Sequence, residues 1–122
     1  AAALAMQERL VEAAGAIARA KGRRIAYVNV LVDLVPEWDL QEWSDAAVVA
    51  DIGVLASRDP VAIDQASCDL FNQAPGISGT RLGDPTSKDK LKELYPLVDW
   101  QAQLAYAEAI GLGTRNYELM II

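Results

Sequence analysis

The chain contains no histidine and a single cysteine, Cys68. Without histidine, the chain on its own excludes a Ser-His-Asp or Cys-His catalytic site, a histidine-ligated zinc ion and an imidazole pH switch. One cysteine cannot by itself form an internal disulfide, a four-cysteine zinc site or an iron–sulfur cluster. We therefore expect this chain alone to hold no metal ion and no cofactor.

Long apolar runs and clusters of basic residues are also missing. No stretch approaches the ~20 consecutive apolar residues of a membrane span. The formal net charge is −6, which argues against a nucleic-acid-binding surface because such a surface needs a basic patch. We therefore expect neither a membrane span nor a nucleic-acid partner. The alanine-rich start is not typical of a signal peptide and does not begin with Met, so we expect a processed product or a fragment.

What is present is typical of a folded chain. Of its 122 residues, 52% are hydrophobic and 23% are charged, which excludes a disordered protein and predicts one domain over residues 1–122. The acidic residues are uneven, since residues 36–59 hold six acids against one base, Arg58. This stretch is either a solvated loop or a site for a cation or a polar ligand.

The apolar pattern predicts alternating helices and strands. Residues 4–21 have the period of a helix that ends at Gly22. Residues 25–32 are almost continuously apolar, which is typical of a strand covered on both faces in a parallel sheet. Asp59 and Pro60 are suited to begin a helix after a second strand. The other predicted elements are a strand over 48–57, a helix ending before Pro75, a loop over 75–87, helices over 88–94 and 99–110, and a strand over 117–122.

These elements predict an α/β fold in which helices pack on a small, mostly parallel sheet. About three strands are few for an independent α/β sheet. We therefore expect the sheet to be completed by a missing part of the same protein or by a partner chain, including a second copy of this chain.

The candidate ligand-binding residues are acids and a hydroxyl near the predicted strand ends. Asp39 and Asp45 lie in the acidic stretch and offer oxygen ligands for a cation, although their spacing does not match an EF-hand loop. Asp59 is suited to cap a helix and also lies at a strand-to-helix turn, where ligands bind in open α/β sheets. Asp64 is either an exposed helix acid or part of a polar site with Ser67.

Three other residues have a simpler explanation. Cys68 is expected to be a buried, inert thiol because no histidine is available to lower its pKa. Trp38 and Trp43 lie close to the acids of the stretch 36–59, and we interpret them as interface residues because aromatic side chains favour protein contacts.

Several segments of the chain form a specific pattern. The longest is DIGVLASRDPVAIDQAS at residues 51–67, and the others are residues 25–33, 44–50, 69–76 and 104–119. Together they resemble the DUF362 family. The resemblance covers nearly the whole chain after residue 6. It implies the C-terminal portion of a longer protein, because many DUF362 proteins carry a ferredoxin-type insertion that binds two 4Fe–4S clusters, and this chain resembles the part after it.

The resemblance also implies a setting: a cytoplasmic, prokaryotic, iron–sulfur-associated and redox-related protein, with the 4Fe–4S clusters elsewhere in the full-length protein and a ferredoxin-type domain as a partner. The sequence departs from the family in one loop. Where members often have Cys-Asp-Cys, this chain has Trp38, Asp39 and Leu40, and neither an indole nor an isobutyl group is a metal ligand.

Three hypotheses for function follow. The first is a redox-related role in an iron–sulfur-associated protein of unassigned activity. The second is a non-catalytic module that docks a ferredoxin domain. The third is a metal-dependent enzyme that uses the carboxylates of Asp39, Asp45 and Asp64.

Overall fold

A computed structural model describes residues 2–38 and 40–122 of the chain. Its helices and strands follow in the order α1 (Ala2–Lys21), β1 (Tyr27–Leu31), β2 (Gly53–Ser57), α2 (Pro60–Gln73), α3 (Lys90–Leu94) and α4 (Trp100–Ala109). The fold is α/β, with helices packed on a small sheet, as the apolar pattern predicts.

The sheet is antiparallel, so the expectation of a mostly parallel sheet is wrong. β1 pairs with β2 from Tyr27 opposite Ser57 to Leu31 opposite Gly53. The two strands are joined by residues 32–52, and the described part of this connection contains no helix of the kind that links parallel strands. The chain therefore turns back along β1 instead of crossing over the sheet.

One face of this sheet is covered by a helix and the other is exposed. α2 packs against both strands, and the side chain of Asn29 in β1 points to it. Because side chains alternate along a strand, Val28 and Val30 point the other way, together with Val54, which neighbours Val30 in β2. These three side chains are 61%, 60% and 64% exposed, and we call them the outer face. The apolar run in β1 thus has one uncovered face, and the expectation of a strand buried on both faces is wrong.

The helix boundaries follow local signals in the sequence. α1 ends where Gly22 takes a φ of +57°, a conformation that glycine adopts without strain. Asp59 caps α2 by accepting hydrogen bonds from the backbone N–H groups of Val61 and Ala62, and Pro60 takes the first position of the helix. Asp99 caps α4 through the N–H of Ala102. The predicted caps at Asp59 and Asp99 are therefore confirmed.

Two predicted strands differ from the structure. The strand predicted over 48–57 is confined to β2, and within the segment before it Val49 forms only an isolated bridge with Gly76. Residues 117–122 form no strand in the part of the chain that the structure describes. α3 begins at Lys90, two residues later than predicted, and the helix predicted over 99–110 ends at Ala109.

The core contains two clusters, and each includes a residue of α2. One holds Val11, Val61, Leu104 and Ala107, and it joins α1, α2 and α4. The other cluster holds Val48, Val49, Phe71, Leu82 and Leu91. Three of these, Val48, Val49 and Leu82, lie in loops. Loop residues therefore supply much of the second cluster, and Phe71 joins these loops to α2.

Candidate functional site

A cleft of about 730 Å³ runs along the edge of β1 that is not paired with β2. Successive residues of the strand and its continuation line it, from Val28 to Val35, whereas no residue of β2 does. Residues of α2 and α4 form further walls, and the loop after β1 forms another through Trp38 and Trp43. Clefts of this size are typical of small-molecule sites.

The polar centre of the cleft joins β1 to α2. The amide nitrogen Nδ2 of Asn29 donates hydrogen bonds to Asp64 Oδ1 at 2.8 Å and to Ser67 Oγ at 2.9 Å. Ser67 Oγ in turn donates to the carbonyl oxygen of Ile63 at 2.7 Å. Asp64 and Ser67 are thus brought together, and both line the cleft with Asn29.

Burial beside Asn29 affects the acidity of this centre. Although Asp64 as a whole is exposed, its carboxyl group lies against β1 and α2. Burial raises the pKa of Asp64 above its ordinary value, and the hydrogen bond from Asn29 opposes that rise. The carboxylate therefore gains from a partner that carries positive charge.

Cys68 also lines the cleft, but it is a poor ligand. Burial raises the pKa of its thiol to about 12, and the negative charges of Asp64, Asp69 and Asp89 add to the effect. At neutral pH the thiol is protonated, whereas iron–sulfur clusters are bound by thiolates. The residues of this chain therefore do not fit a 4Fe–4S cluster, which needs several such ligands.

Aromatic side chains form much of the apolar wall. Trp38 Nε1 donates a hydrogen bond to the hydroxyl of Tyr95, which donates to the carbonyl oxygen of Pro36 at 2.6 Å. The two rings lie 6.2 Å apart between centroids. Trp100, at the start of α4, donates from its indole N–H to Asp89 Oδ1 at 3.0 Å. Trp38 and Trp43 both line the cleft, and both side chains are exposed.

The other candidate residues lie away from this centre. Asp45 is on the surface, where its carboxylate lies 3.6 Å from Arg81, which also pairs with Glu37. Asp59 caps α2, and its second oxygen, Oδ2, accepts a hydrogen bond from the backbone N–H of Thr114 at 3.0 Å. Asp39 lies outside the described residues. The structure therefore gathers Asp64 and Ser67 into one site and leaves Asp45 and Asp59 in other contacts.

Asn29, Tyr95 and Trp100 line the cleft but are not among the residues predicted from the sequence. Asn29 had a signal, because it is the one polar residue within the apolar run of β1. Tyr95 and Trp100 follow α3 and begin α4, so their position depends on how distant segments pack. No pattern in the local sequence could have placed them beside β1.

Within residues 2–38 and 40–122, no three Cys, Asp or Glu side chains gather in a way that would hold a metal ion. Over the same residues, no helix is long and apolar enough to cross a membrane.

The fold and the cleft define an α/β domain in which α2 covers one face of a two-stranded antiparallel sheet. The pattern of the family described as "Domain of unknown function (DUF362)" matches residues 2–69, which is more than half of the chain. The chain therefore belongs to the DUF362 family. No curated protein and no solved structure matches it.

Proposed function

We propose that this domain is the docking part of an iron–sulfur-associated redox protein whose clusters are carried by another part of the full-length protein. The observation that carries this proposal is the outer face, on which Val28, Val30 and Val54 are each at least 60% exposed. Contiguous exposed apolar side chains mark interaction surfaces on soluble proteins. The outer face is thus suited to be covered by another protein surface.

The edges of the sheet support the same proposal. Among the described residues, β1 and β2 pair only with each other, so each strand has an outer edge whose backbone groups are free to pair. A two-stranded sheet is only marginally stable in water without further strands or cover. α2 supplies that cover on one face, and the exposed outer face is left available for a partner.

The redox part of the proposal rests on the resemblance to longer DUF362 proteins with ferredoxin-type insertions. Cys68, with its protonated thiol, is unsuited to carry electrons or to bind a cluster. The ferredoxin-type partner supplies the electron carrier, and this domain supplies a surface. A cytoplasmic, prokaryotic setting belongs to the same proposal.

The test is binding of the chain to a purified bacterial ferredoxin that carries two 4Fe–4S clusters. Backbone amide signals of the labelled chain are followed as the ferredoxin is added, and shifts are expected in β1 and β2. Val54→Lys is expected to weaken binding at least about tenfold, because it places a charge in the apolar contact. Val54→Thr is the matched control, since it keeps the β-branched shape and the strand preference without a charge.

Circular dichroism of both variants checks that the helices remain intact. Absence of binding, or equal binding by Val54→Lys and the unchanged chain, would show that the outer face does not dock a ferredoxin-type domain.

A further inference from the structure

The polar centre of the cleft presents hydrogen-bond acceptors without matching donors. Asn29 uses both hydrogens of its amide nitrogen, one on Asp64 and one on Ser67. Ser67 uses its single hydroxyl hydrogen on Ile63. Asn29 Oδ1 and Asp64 Oδ2 make no hydrogen bond with the described residues, and both are acceptors when the carboxyl group is ionised. A complementary ligand must therefore donate hydrogen bonds at this point.

The charge of the cleft points to the same kind of ligand. Asp33, Glu42 and Asp64 line it, and none of the described residues that line it is Lys or Arg. An anion would meet only negative side chains, whereas a cation would offset the unpaired charge of Asp64. The ligand therefore carries positive charge as well as hydrogen-bond donors.

The apolar wall defines the rest of the ligand. Phe71, Leu91, Tyr95, Trp100 and Leu104 line the cleft beyond the polar centre. A pocket with apolar and aromatic walls and a few converging polar groups buries most of a small ligand while the polar groups fix its orientation. Aromatic faces also attract organic cations.

We propose that the cleft binds a small organic ammonium compound with an aromatic body, whose ammonium group donates hydrogen bonds to Asp64 Oδ2 and Asn29 Oδ1. This site shares Val28 and Val30 with the outer face, but its polar centre lies on the side of β1 that faces α2, and Val54 is not part of it. The proposal therefore does not rest on the docking proposal.

The test compares two probes that differ in one group. Tryptamine carries an ammonium group on an indole-ethyl body, and tryptophol carries a hydroxyl group on the same body. Isothermal titration calorimetry of the chain is expected to show at least about tenfold tighter binding of tryptamine. Amide signals in β1 and in the Asp64–Cys68 segment of α2 are expected to shift.

Two matched variants locate the effect. Asp64→Asn keeps an oxygen for Asn29 and removes the charge, so it is expected to reduce the affinity for tryptamine to that for tryptophol. Asp69→Asn makes the same change on the same helix outside the cleft and is expected to leave the preference intact. Val54→Lys is also expected to leave tryptamine binding unchanged, which separates this test from that of docking.

Three results would overturn the proposal. They are a failure of tryptamine to shift signals at the cleft, equal affinity for the two probes, and a preference for tryptamine that survives in Asp64→Asn.

Discussion

Asp59 connects the start of α2 to the segment after α4. One of its carboxylate oxygens caps the helix through Val61 and Ala62, and the other accepts a hydrogen bond from the backbone N–H of Thr114. The chain comes so close at Gly113 that a side chain there would collide with the carboxylate. Asp59 therefore caps α2 and also makes a contact with a residue that is distant in the sequence.

The first prediction concerns this double role. Asp59→Ala removes the cap, which is worth about 1 kcal/mol, and also the contact with Thr114. We expect the free energy of unfolding in urea to fall by about 1–2 kcal/mol in total. Asp59→Asn keeps an acceptor oxygen and is expected to lose less. An unchanged stability in Asp59→Ala would contradict both roles.

The second prediction concerns Leu82, a loop residue that is 1% exposed in the core cluster with Val48 and Val49. Leu82→Ala leaves a cavity and is expected to lower the free energy of unfolding by about 2–5 kcal/mol. The matched control is Leu97→Ala, because Leu97 is 86% exposed and its truncation is expected to change stability by less than ~0.5 kcal/mol. Similar losses in the two variants would show that the loop is not part of the core.

The third prediction concerns pH. Because burial raises the pKa of Asp64 in the folded state, the contribution of this group to stability is fully present below its unfolded pKa. That contribution is lost as the pH rises through the folded pKa. Asp64→Asn is therefore expected to be more stable than the unchanged chain near neutral pH.

This advantage is expected to disappear at about pH 3, where the carboxyl group is largely protonated in both states. Urea unfolding at the two pH values measures the difference. Asp69→Asn serves as the control and is not expected to gain stability at neutral pH. A gain in Asp64→Asn that is independent of pH would exclude burial of the charge as its cause.

The fourth prediction concerns iron. After anaerobic treatment with iron and sulfide, the isolated chain is expected to hold no stoichiometric cluster, because its one thiol has a pKa of about 12. Iron analysis and visible absorption measure the outcome, and Cys68→Ser is expected to behave identically. A cluster that is present in the monomer and absent from Cys68→Ser would refute the prediction.

The fifth prediction concerns assembly. Because the outer face is uncovered, the isolated chain is expected either to show a mass above the 13.2 kDa of one chain in light scattering or to bind a dye for apolar surfaces. Val54→Lys is expected to reduce whichever effect is seen. A monomer that unfolds cooperatively and binds no dye would show that the sheet needs no partner.

Local signals in the sequence predicted the elements whose ends depend on a few residues. Gly22 ends α1, and Asp59 with Pro60 begins α2, because a left-handed glycine and a capped proline act through neighbouring backbone groups. The direction of β2 depends instead on the path of residues 32–52. An apolar strand such as β1 has the same composition whether its second face is covered by a helix or left for a partner.

The candidate site could be predicted only in part, because only two residues of its polar centre lie close together in the sequence. Asp64 and Ser67 are three residues apart on α2, and this spacing places them on one side of the helix. Asn29 comes from a strand 35 residues earlier than Asp64, so the hydrogen bond between them depends on tertiary packing. Tyr95 and Trp100 reach the cleft through the same packing.

The long connection between β1 and β2 gives the domain room for variation. Its ends are fixed by the strands and by Val48 and Val49 in the core, but residues 40–46 are exposed. Lengthening a flexible loop has a small entropic cost of closure, about 0.6 kcal/mol for each doubling of its length. Insertions or substitutions at this segment would change the rim of the cleft while leaving the register of the sheet intact, which makes it the place to engineer a new ligand preference into the domain.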